Sequence, residues 1–119
     1  MKVDHIGIAV KNLEESLTRW SEFFNGEVRG IEEIKERGVR LAHLALKQGP
    51  SIELVTPWGE GSTLEKFLKE RGEGIHHFCF EVEDIEKMME ELKKKGIQFV
   101  QDKPQKGAGG NLIAFIHPR

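Results

Sequence analysis

The sequence predicts an α+β fold made of two related modules, and three observations carry this. The stretch DHIGIAVKNLEESLTRW (4–20) lies over HHFCFEVEDIEKMMEEL (76–92) at a constant offset of 72, pairing His5 with His77, Ile6 with Phe78, Ile8 with Phe80, Val10 with Val82, Asn12 with Asp84 and Leu13 with Ile85. The offset continues downstream, where Gly38 falls on Gly110, Leu41 on Ile113 and Ala42 on Ala114. In both copies a run of period two is followed by a cap residue and then by a run of helical period, so strand, cap and helix recur in register.

The elements follow in order. Ile6, Ile8 and Val10 alternate with His5, Gly7 and Ala9, as on a half-buried strand. Asn12, with Glu15 three residues on, forms a capping box, and Leu13, Leu17, Trp20 and Phe24 then recur at helical spacing. The segments VRLAHLALK (39–47) and PSIELVTP (50–57) predict a hairpin around Gln48 and Gly49. STLEKFLKERG (62–72) predicts a connecting helix with a second box, Ser62 and Glu65. Phe78, Phe80 and Val82 give the next strand its core face, and His76 lies with them on that face. Asp84 caps a helix carrying Ile85, Met88, Met89 and Leu92, which Gly96 ends. IQFVQ (97–101) and NLIAFIH (111–117) predict strands flanking the loop DKPQKGAGG. The order is βαβββ, a linking helix, then βαββ. The expected organisation is a first module at 1–57, a linker at 58–73 and a second module at 74–119, one strand short, within a single compact domain.

The chain has 119 residues, 38% hydrophobic and 32% charged, with a net charge of −2. This balance gives no electrostatic case for nucleic acid. Cys79 is the single cysteine, so no internal disulfide forms and a reducing compartment fits. Residues 1–10 carry Asp4 and no long apolar run, so neither signal peptide nor membrane span is expected, and the expected location is the cytoplasm.

His5 and His77 occupy equivalent positions on the polar faces of equivalent strands. Glu53 sits in mid-strand between core residues Ile52 and Leu54, where a carboxylate needs a partner. Two imidazoles and a carboxylate suit a divalent transition metal, with Co, Ni, Mn and Zn all compatible with such ligands. The ordinary alternative places both histidines at strand starts and Glu53 on a solvated face. If Glu53 is a ligand, the repeat puts its twin at 53 + 72 = 125, on a last strand missing from a chain that stops at Arg119.

The segments DHIGIAVKNLEESL, IELVTPWG, STLEKFLKERGEGIHHFCFEV and KGAGGNLIAFIHP resemble the vicinal oxygen chelate (glyoxalase/bleomycin resistance) superfamily, and within it the methylmalonyl-CoA epimerases. The resemblance implies paired βαβββ modules forming a cup-shaped mixed or antiparallel sheet around one divalent metal held by His5, Glu53 and His77. It implies epimerisation of an acyl-CoA thioester, methylmalonyl-CoA, by proton transfer at the carbon alpha to the thioester through a metal-stabilised enolate, in a homodimer. The family's acid/base glutamate that is also a ligand falls beyond Arg119. A second one, on the strand matching GVRLAHLA, falls on Leu41; His43, two residues along on the same face, is the candidate catalytic substitute. A glyoxalase I-type lactoylglutathione lyase and a non-catalytic small-molecule-binding member remain open alternatives.

Overall fold

The computed structural model describes residues 1–117; Pro118 and Arg119, which close the predicted second module, lie outside the described residues. The described chain forms two compact units, Lys2–Glu81 and Val82 onward.

In the larger unit β1 (Lys2–Ala9), β2 (Glu27–Ile34), β3 (Val39–Ala45), β4 (Ser51–Pro57) and β5 (Gly74–Glu81) form one mixed, unclosed sheet in the order β2-β3-β4-β1-β5. β1 runs parallel to β4, and the other neighbours are antiparallel. Helix α1 (Leu13–Phe24) follows β1, and α2 (Thr63–Arg71) precedes β5. The mixed α+β sheet agrees with the sequence reading.

The predicted period-two faces assemble the core. Ile8, Val10, Leu13, Ala42 and Leu54 are buried together, with Ile6, Leu17, Trp20 and Ile52 packed against them. Burying a side chain such as Leu13 or Leu54 contributes about 1.5–3 kcal/mol. Phe24 departs from the predicted stripe: it lies in the last turn, exposed, with its ring 5.2 Å from that of Trp20.

The predicted capping boxes form by half. Asn12 Oδ1 accepts from the Glu15 N–H at 3.0 Å, but the Glu15 carboxylate turns to Arg19 instead. Ser62 Oγ accepts from the Leu64 N–H at 3.2 Å rather than from Glu65. The N-cap bond needs only local backbone geometry, whereas the return bond competes with every nearby cation.

In the smaller unit α3 (Ile85–Lys94) is capped by Asp84, whose Oδ1 accepts from the Lys87 N–H. It ends as predicted at Gly96, with the Gly96 N–H on the Lys93 carbonyl and the Ile97 N–H on the Leu92 carbonyl. The two strands predicted after it are corrected. Residues 97–101 make only an isolated bridge, Phe99 to Ile116, flanked by bonds from Val100 N–H to the Phe115 carbonyl and from His117 N–H to the Gln98 carbonyl. The ladder proper is a two-residue pair, β6 (Gln105–Lys106) with β7 (Leu112–Ile113). Val100, Leu112 and Ile116 are exposed there. Apolar runs with so little surface to cover do not propagate a sheet.

One facing prediction also fails. Phe78 and Phe80 are 55% and 54% exposed, not core. They lie on β5, the edge of the sheet, whereas α1 packs over β2, β3 and β4.

Candidate metal centre

The register of the sheet explains the site. His43 on β3 lies opposite Glu53 on β4, Glu53 beside Gly7 on β1, and Gly7 opposite His77 on β5. These four residues make one row across four strands, all on the face away from α1. His5 stands two residues before Gly7 on the same face.

Neighbouring strands are about 4.8 Å apart, so β5 and β4 are separated by nearly 10 Å of backbone. Two side chains span that gap because Gly7 leaves it open. A Cβ on Gly7 would fall against the His77 ring, closer than 3.0 Å to its Cε1, Nδ1 and Nε2. A glycine inside a strand often marks such a close approach.

Three imidazoles consequently converge on one carboxylate. His77 Nε2 is 3.3 Å from Glu53 Oε1, His5 Nε2 is 3.4 Å from Oε2, and His43 Nε2 is 3.5 Å from Oε2. His5 Nε2 and His77 Nε2 are themselves 3.3 Å apart. The ring pairs meet edge to face, His5 with His77 at 5.4 Å and His5 with His43 at 5.9 Å between centroids.

Glu53 is 5% exposed. Its burial pushes the carboxyl pKa up, but the hydrogen bond with His77 and the charges of His5, His77 and His43 outweigh that and hold it below its ordinary value. The carboxylate therefore stays ionised inside the sheet face. His76 is pushed down by burial and by the neighbouring His77, against the opposing pull of Glu53. Burial, with Asp4 and Glu53, raises the Cys79 thiol, which keeps it protonated near neutral pH.

The donor atoms of His5, Glu53 and His77 all lie within 4.8 Å of one another. The set fits a divalent cation on chemical grounds. Imidazole nitrogens crowd a buried, anionic carboxylate at 3.3–3.5 Å, a donor set that protons or a cation between them satisfy. The glycine gap in the row leaves room for the ring that completes the set. Asp4, His5 and Cys79 form a second cluster of comparable spread. There the Asp4 carboxylate already bonds His5 Nδ1 at 2.8 Å and the thiol is protonated, so it is the poorer set.

His5, Glu53, His77 and His43, the four residues singled out in the sequence, are thus brought together. Three neighbours were missed. Gly7 carried a signal, an isolated glycine inside a strand pattern. Asp4 carried a weaker one, a carboxylate next to a candidate ligand. His76 was placed with the phenylalanines. Instead its Nδ1 lies 2.9 Å from His77 Nδ1 and its ring meets Phe67 edge-on at 4.9 Å.

The chain belongs to the glyoxalase/bleomycin resistance protein/dioxygenase superfamily, whose sequence profile matches residues 4–115. Within it the chain is 35% identical to an ethylmalonyl-CoA/methylmalonyl-CoA epimerase of Cereibacter sphaeroides, covering 99% of this chain and 89% of that one. It is 34% identical to the mitochondrial methylmalonyl-CoA epimerase of Dictyostelium discoideum, covering 99% and 71%. The crystal structure of methylmalonyl-CoA epimerase from Mycobacterium tuberculosis superposes with a TM-score of 0.94 at 31% identity, covering 98% of this chain and 79% of that one. Among the described residues no helix is long and apolar enough to cross a membrane.

Proposed function

We propose that the protein epimerises methylmalonyl-CoA with a divalent metal held by His5, Glu53 and His77. The observation that carries this is the buried Glu53 carboxylate ringed by three imidazole Nε2 atoms at 3.3–3.5 Å, on a chain similar to methylmalonyl-CoA epimerases. When bound, the ion would act as a Lewis acid toward the charge that develops on the thioester oxygen. Co, Ni, Mn and Zn all suit the set.

The remaining work falls to the protein's own side chains. His43 is the proposed acid/base group: its Nε2 borders the site, its side chain is 30% exposed, and an imidazole exchanges protons near neutral pH. It would take the proton from the carbon alpha to the thioester. Inversion then requires return of a proton to the opposite face of that carbon, which calls for a second group. Glu53 holds negative charge beside the imidazoles, and Gly7 lets His77 reach it. The reading includes a homodimer, and the lone free thiol of Cys79 fits a cytoplasmic setting.

The test is exchange of the alpha proton of methylmalonyl-CoA in deuterated water, followed by NMR with the Co-loaded protein. Exchange should be fast, and His43→Ala should slow it at least 100-fold with Co content unchanged. Conversion of the hemithioacetal of glutathione and methylglyoxal without alpha exchange would replace this reading with the lyase. Binding without either reaction would leave a non-catalytic member.

A further inference from the structure

We propose that Asp4 and His76 are positioning residues for the metal, each holding the Nδ1 edge of a ligating imidazole so that His5 and His77 both present Nε2 to the pocket. The inference rests on the metal reading above. It is carried by a geometric coincidence between the two repeats.

β1 and β5 are antiparallel partners, and their pairing slips twice. Val3 pairs with Phe80 and His5 with Cys79, so Asp4 is an extra residue on β1. Gly7 pairs with His77 and Ile8 with Ile75, so His76 is an extra residue on β5. Asp4 and His76 are equivalent under the 72-residue offset. Each is the residue just before a candidate ligand, and each is bulged.

A bulge re-aims a side chain that regular alternation would send to the other face. Here both extra residues turn to the ring that follows them. Asp4 Oδ2 is 2.8 Å from His5 Nδ1, and His76 Nδ1 is 2.9 Å from His77 Nδ1. A carboxylate only accepts, so His5 carries its proton on Nδ1 and a neutral His5 has its lone pair on Nε2. At the other pair, one nitrogen must donate and one accept. With His77 ligating through Nε2, His77 Nδ1–H donates and His76 accepts. Phe67, edge-on at 4.9 Å, holds the His76 ring in place for that bond. Outer partners of this kind fix tautomer and ring orientation, and their loss costs roughly 10- to 100-fold in metal affinity.

The experiment uses Co titration calorimetry and proton NMR of the Co-loaded protein, in which a ligating imidazole shows its Nδ1–H as a shifted, exchangeable line. Wild type should show two such lines. Asp4→Ala and His76→Ala should each bind Co about 10- to 100-fold more weakly and lose or broaden one line. Asp4→Asn and His76→Asn restore a hydrogen-bond acceptor, an amide oxygen in place of the Asp4 carboxylate oxygen or the His76 ring nitrogen, and should recover most of the affinity and the line. Alanine variants that bind Co like wild type and keep both lines overturn the proposal while the metal site stands. A loss that asparagine does not restore gives these residues a folding role and also overturns it. Wild-type protein that takes up no Co overturns the metal reading itself, and this inference with it.

Discussion

Replacing Gly7 by alanine probes the row that builds the site. The new Cβ would have three His77 ring atoms as its nearest neighbours, all closer than 3.0 Å. The backbone itself does not object, since Gly7 is not among the glycines with positive φ. Alanine there gains about 0.4–1 kcal/mol by restricting the unfolded chain. His77 must give way, and its side chain, 28% exposed, has an exit to solvent. Leaving strips the buried Glu53 carboxylate of a charge-assisted partner, a loss of about 1.5–3 kcal/mol. The balance is a net destabilisation of about 1–2 kcal/mol, on the order of 5–10 °C in Tm. Co affinity should fall further than the roughly 100-fold expected for an outer partner, because a donor is lost. Thermal denaturation of the metal-free protein and Co calorimetry measure both effects. The double variant with His77→Ala should be no less stable than His77→Ala alone, since no ring remains to meet the methyl group. Wild-type Co affinity in Gly7→Ala, or strictly additive stabilities, would refute the reasoning.

Two further outcomes follow from the same packing. Folding lowers the pKa of both Glu53 and His76, so each contributes stability that is lost on acidification: His76 as pH falls from its ordinary 6.5, Glu53 as pH falls from its ordinary 4.5 through a lower folded value. Urea titrations of metal-free protein should show a small first decline, small because the His76 ring is only partly covered and keeps access to solvent, and a second one that Glu53→Gln abolishes; persistence of the second in that variant would assign it to other carboxylates. Leu54→Ala, at a side chain with no solvent exposure in the centre of the sheet, should cost about 2–5 kcal/mol in a denaturant titration, and a cost below 1 kcal/mol would show that the α1-facing layer can collapse around the gap.

Local chemistry was legible in the sequence by itself. α1 and α3 begin where Asn12 and Asp84 can accept an N–H from the first turn, and α3 ends where Gly96 can turn left-handed. Such bonds close within a few residues, so neighbouring side chains decide them. The period of two likewise placed His5 and Glu53 on the face opposite Ile6, Ile8 and Leu54, because a strand alternates wherever it lies. The repeat then brought His77 into the same account. The tertiary structure alone decided the rest. Phe78 and Phe80 have the pattern of core residues but sit on an edge strand, and a pattern says which residues share a face without saying what covers it. The bulges at Asp4 and His76 exist only in the pairing of β1 with β5, segments more than 60 residues apart, and no local rule contains that register. Gly7 reads as one more small residue until His77 crosses it to reach Glu53. Which four strands meet in that row is a property of the assembled sheet.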